Sequence, residues 1–123
     1  MDIYQRHDSA FAGITACVVT LHGARVATIA FKRNQRSGGV QCFLHWFGET
    51  MTRGTARGGG YDMCSAAAAD AARRLPAELP EDSGYPLTAA ERTAFRSALL
   101  GTEHNTWRYA LRDAGFEVLS AIG

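Results

Sequence analysis

Six basic residues, Arg25, Lys32, Arg33, Arg36, Arg53 and Arg57, face a single acid, Glu49, over residues 25–57, a local net charge of +5. Phe43, Trp46 and Phe47 lie between them. Guanidinium and ammonium groups beside aromatic rings on a sheet hold single-stranded nucleic acid, by phosphate contact and base stacking. Two-residue alternation puts Val40, Cys42, Leu44 and Trp46 on one strand face and Gln41, Phe43, His45 and Phe47 on the other. The first set reads as core. The second is unusually aromatic for a solvated face: either the N-terminal segment or another chain covers it, or it binds a partner. A sequence pI of 7.8 is well short of the usual footprint of nucleic-acid binders.

Other candidates carry weaker chemistry. Thr52 to Asp62 is glycine-rich and precedes a helix start, a place that suits an anion, with Arg53 and Arg57 adding charge. It lacks the Gly-Lys-Ser/Thr of a phosphate loop and follows no dinucleotide-binding pattern. Asp62 would repel a phosphate, and the plain reading is a sheet-to-helix linker. Cys42 and His45 have Cys-x-x-His spacing, but residues i and i+3 of a strand point to opposite faces, and no second close ligand pair exists. Cys64 lies near a helix N-terminus, where a thiol is activated, yet nothing in the sequence places a base beside it. No nucleophile elbow, zinc-protease motif or paired-carboxylate frame is present. The chain therefore reads as a non-enzyme with neither cofactor nor metal. Near the C-terminus, Trp107, Ala110 and Leu111 have helical core spacing, which leaves Arg108 and Arg112 exposed at i, i+4 as partner-binding candidates.

The elements that must position these groups follow from local pattern. Residues 14–21, 25–32 and 40–47 are rich in strand formers and joined by short connectors, which favours an antiparallel meander. His22-Gly23-Ala24 reads as a tight turn and residues 33–39 as a basic hairpin loop. Residues 48–61 hold five glycines and no apolar run, and read as loop. An alanine-rich helix follows from Asp62 to about Arg74, with small residues on nearly every side, suited to lie close against a sheet. Residues 76–87 contain all three prolines and form a connector. Thr88 to Glu91 is a capping box that starts a helix running to about residue 100, where Gly101 ends it. Asn105 or Thr102 caps a further helix over 107–114, Gly115 ends it, and 116–122 reads as a last strand. The expected order is β-β-β-α-α-α-β: an α+β fold, with helices on one face of a three- to four-stranded antiparallel sheet.

The 123 residues suffice for one domain, 1–123, and 46% apolar content with 20% charged side chains is globular. Charge is split: residues 1–61 carry seven basic and three acidic groups, residues 62–123 six basic and nine acidic. Three cysteines are too few for a disulfide scaffold, no stretch is long and apolar enough for a membrane span, and the first residues lack signal-peptide character, so the expected setting is the cytoplasm.

The run Gly54-Thr55-Ala56-Arg57-Gly58-Gly59-Gly60-Tyr61-Asp62, then Ser65-Ala66-Ala67, with the ending Ala114 to Ile122, resembles small phage and plasmid proteins found among anti-CRISPR and other anti-defence factors. The resemblance spans about half the chain and brings no catalytic residues with it. It implies a non-enzymatic protein of a mobile element, active in a host bacterial cell, that binds a CRISPR effector subunit and blocks it. Many such proteins are acidic nucleic-acid mimics; this chain is not acidic overall, although its second half could meet a basic surface. The alternative is a small single-stranded nucleic-acid-binding domain. On either reading the partner surface draws on Arg33, Arg36, Arg53, Arg57, Phe43, Phe47, Arg108 and Arg112, and a second copy of the chain is a further expected partner.

Overall fold

The computed structural model describes residues 14–33, 39–46, 50–57, 63–77, 79, 87–101 and 106–120. Its strands are β1 (Ile14–Leu21), β2 (Ala24–Arg33), β3 (Val40–Trp46), β4 (Thr50–Ala56) and β5 (Glu117–Ser120). Between β4 and β5 come α1 (Met63–Arg73), α2 (Ala89–Leu100) and α3 (Trp107–Asp113). The strands form one sheet in the order β4-β3-β2-β1-β5, every pair antiparallel. The fold is α+β, with the helices packed against the sheet.

The first hairpin is tight because His22 and Gly23 both take positive φ, 53° and 81°, which matches the twist of the flanking strands. The register of β1 on β2 shifts between Val19 and Thr20, so Val26 is an extra residue and both Val26 and Ala27 are buried. The core lies between sheet and helices. Cys17, Val19, Ile29, Phe31, Val40, Cys42, Leu44 and Trp46 meet Phe95, Leu99, Trp107 and Leu111 there. Phe95 stacks at 4.9 Å from Trp46 and 5.6 Å from Phe116, tying α2 to the sheet and to the entry of β5. Each such side chain contributes roughly 1.5–3 kcal/mol by leaving water.

Residues 50–56, expected within a loop, instead form β4, and the sheet has five strands rather than three or four. The physical reason is visible in the residues facing α1. Thr50, Thr52, Gly54 and Ala56 are small because the helix backbone lies almost on the strand, so no apolar alternation marks it. A Cβ added at Gly54 would sit 2.2 Å from the Ala71 nitrogen and 2.3 Å from the Ala67 oxygen. The Thr52 hydroxyl donates to the Ala71 carbonyl at 2.9 Å, and Asp70 accepts from the Thr55 N–H at 2.9 Å. The alanine-rich helix thus lies as close to the sheet as its composition allows, and Asp70 occupies one donor on the sheet's outer edge.

The capping box of Thr88 and Glu91 starts α2, with the Glu91 N–H donating to Thr88 Oγ1 at 3.1 Å and the Thr88 N–H to Glu91 at 2.9 Å. Gly101 caps its end with φ −92°, not in the left-handed region. Thr106 caps α3, rather than Asn105 or Thr102, which lie outside the described residues, as does Asp62. Gly115, at φ 99°, ends α3. The first N–H of α3, on Trp107, donates to the buried Ser65 hydroxyl at 2.8 Å, which satisfies a group the helix cannot.

Candidate nucleic-acid interface

The ring contacts and closest approaches between helices and strands fall on one side of the sheet: Trp46 on Phe95, Phe31 on Trp107, Gly54 on Ala71. Among the described residues, no helix lies on the other side. Its register can be read row by row. Leu119, Val18, Thr28, His45 and Met51 cross all five strands. The next row holds Ala16, Ala30, Phe43 and Arg53, and the one after it Ile14, Lys32, Gln41 and Thr55. Rows are about 6.8 Å apart along the strands.

Phe43 and Arg53 are direct cross-strand partners, and the Arg53 guanidinium lies 5.1 Å from the Phe43 ring centre. That contact holds the guanidinium against the ring while Arg53 stays exposed to solvent. Lys32, Arg53 and Arg57 are all exposed. Arg25 and His45, with Ala27 and Thr28, line a shallow depression of about 80 Å³. The acid on this face among the described residues is Glu117, which accepts from the Thr20 hydroxyl at 3.2 Å. The face is therefore basic, with an aromatic ring near its middle and two exposed apolar side chains, Met51 at 64% and Leu119 at 50%.

β4 changes where the basic residues meet. A loop leaving the far end of β3 would put Arg53 and Arg57 roughly 25–30 Å from Arg33. Because β4 returns antiparallel, Val40 pairs with both Arg33 and Ala56, and Arg57 follows Ala56 at the same end of the sheet. Arg33, Arg57 and Lys32 thus share one end of the sheet, and Arg53 lies one row further in, beside Phe43. Arg36 and Phe47 lie outside the described residues. Arg108 and Arg112 are not brought to this face; they belong to α3, in the helix layer.

The cysteine candidates separate clearly. Cys42 is fully buried toward the helices whereas His45 is exposed on the open face, so the pair cannot share a metal. Burial pushes the Cys42 thiol up to about 12, with the neighbouring Cys64 adding to the shift. Burial also raises Cys17, partly offset by Arg108, whose guanidinium donates to Cys17 Sγ at 3.3 Å. Of the two described histidines, His45 is across the sheet from Cys64, and His22 bonds Glu91 at 2.9 Å. Neither is placed to act as a base for Cys64. Among the described residues no cluster of three or more His, Cys, Asp or Glu could hold a metal ion, and no helix is long and apolar enough to cross a membrane.

Lys32, Phe43, Arg53 and Arg57 stand out in the sequence as candidates, but their placement on one face does not, and neither does Met51. The signal for both was the two-residue alternation of 50–56, hidden by the small residues on its other face.

The chain matches no protein-family model, no curated protein and no solved structure.

Proposed function

We propose that the protein is a non-enzymatic binding module whose working surface is the open face of the sheet, and that the occupant this face suits best is single-stranded nucleic acid. The observation that carries the reading is the Arg53–Phe43 pair, flanked by Lys32, Arg57 and Arg25 on a face bearing one described acid. An aromatic face accepts any base, and the surrounding cations take phosphates without reading sequence. Fluorescence anisotropy with labelled single-stranded DNA and RNA 12-mers tests it. About four phosphate contacts give a log–log salt slope near −3 for a single strand. Binding that ignores salt, or none at low salt, contradicts the reading.

A second reading keeps the same face and changes the occupant to a protein. Met51 and Leu119, large and exposed on that face, favour it. It is the form in which the likeness to anti-CRISPR proteins would act: the chain would sequester an effector subunit of a host defence complex. On that reading, oligonucleotide binding is absent, and inhibition of a purified CRISPR effector is lost in Met51→Glu and Leu119→Glu. Full inhibition by both variants would exclude it.

A further inference from the structure

Arg108 and Arg112 lie away from the open face, and they line a second feature. Together with Thr106, Trp107 and Tyr109 they surround an open concavity of about 310 Å³ on α3. Arg108 is half-buried. Its guanidinium is fixed from two sides: the carbon lies 5.0 Å over the Trp107 ring, and one N–H donates to Cys17 Sγ at 3.3 Å. Neither contact neutralises it. Trp107 carries no charge, and the buried Cys17 thiol stays protonated near neutral pH because burial raises its pKa. Among the described residues, the carboxylates engaged in ion pairs are Asp70 and Glu91, bound to Arg73, Arg74 and His22, so neither Arg108 nor Arg112 has a carboxylate partner.

A guanidinium that is partly desolvated, immobilised and without a carboxylate partner among the described residues has already lost much of its side-chain freedom, and an anion placed there gains a charge-assisted hydrogen bond at little further entropic cost. Arg112, one turn on along the same helix, puts a second fork beside the first. Tyr109, 57% exposed, supplies a ring at the rim. Two guanidinium forks match the three oxygens of a phosphate better than the two of a carboxylate, and a free ring edge suits a planar group attached to that phosphate.

We infer that the α3 concavity is a binding site for a phosphomonoester carried on a flat aromatic group, of the nucleoside monophosphate class, held by Arg108 and Arg112 with Tyr109 against the ring. The inference does not depend on what occupies the open sheet face.

Trp107 forms one wall of the concavity, so intrinsic fluorescence reports occupancy directly. The probes are AMP, adenosine and inorganic phosphate, added to the full chain. AMP should give a saturable change, phosphate a weaker one, and adenosine none up to its solubility limit. Arg112→Ala alters an exposed side chain and should weaken AMP at least tenfold with no loss of fold. Tyr109→Ala should weaken AMP several-fold while leaving phosphate affinity unchanged. Arg53→Glu, on the other face, should leave AMP affinity as it is. Equal binding of AMP and adenosine, undiminished AMP affinity in Arg112→Ala, or loss of AMP binding in Arg53→Glu would each overturn the assignment.

Discussion

At Gly54 the sheet leaves α1 no room for a single carbon, while one residue away Arg53 spreads over the Phe43 ring on a face that no described helix touches. The same strand serves both arrangements. Toward the helices its residues are small, and specificity comes from backbone contact and from Thr52 and Asp70. Toward the open side they are Met51, Arg53 and Thr55, long or polar, and free to meet something else. On the proposed function, stability is concentrated on the covered face and oligonucleotide recognition on the open one. Substitutions should obey that division: large folding penalties without a binding signature on the covered face, and the reverse on the open one.

Gly54→Ala should break the covered face most severely. The new Cβ meets backbone atoms of α1, which cannot swing aside as a side-chain tip can, so the helix must lift. A loss of about 3 kcal/mol or more in urea unfolding is expected. A near-neutral result would mean α1 does not lie where the structure puts it. Ser65→Ala comes next. It leaves the Trp107 N–H buried without its acceptor, and should cost about 1–3 kcal/mol, measured the same way.

Asp70 gives a pH-dependent version of the same test. Partial burial pushes its carboxyl up, but the Thr55 N–H, Arg73 and Arg74 outweigh this and hold it below the ordinary aspartate range. A carboxylate with a depressed folded pKa stabilises the fold above its unfolded pKa and stops doing so as pH falls through the folded one. Wild type should therefore exceed Asp70→Asn in stability at neutral pH, and the gap should close on acidification below the usual aspartate range. A gap that persists in acid would assign the effect to packing. The smallest stability effect belongs to the open face: Arg53→Glu should shift unfolding by only about 0.5 kcal/mol, while weakening oligonucleotide binding at least tenfold. A large unfolding shift would show that the face is structural.

Much of the architecture is legible in the amino-acid sequence. The strands at 14–21, 25–32 and 40–47 carry β-branched and apolar residues in alternation, and Thr88 to Glu91 announces α2 through its capping box. The segregation of Trp46 from Phe43 and His45 follows from alternation alone. β4 is not legible, because the close approach of α1 replaces the expected apolar row with threonine, glycine and alanine. The meeting of Arg57 with Arg33 depends on β4 and is hidden with it. The contact of Arg108 with Cys17, 91 residues apart, has no local signal at all. Nor does Ser65 carry a local signal, since its hydroxyl serves a different helix, accepting from the Trp107 N–H.

The division of labour between the two faces is tested most directly by nitrogen–proton correlation spectra recorded during titration with an unlabelled single-stranded 12-mer. Shifts are expected at Thr28, Lys32, Phe43, His45, Arg53 and Arg57, with Ala67, Ala71, Phe95 and Leu99 unmoved. Shifts centred on the helix layer, with the open-face amides silent, would contradict it.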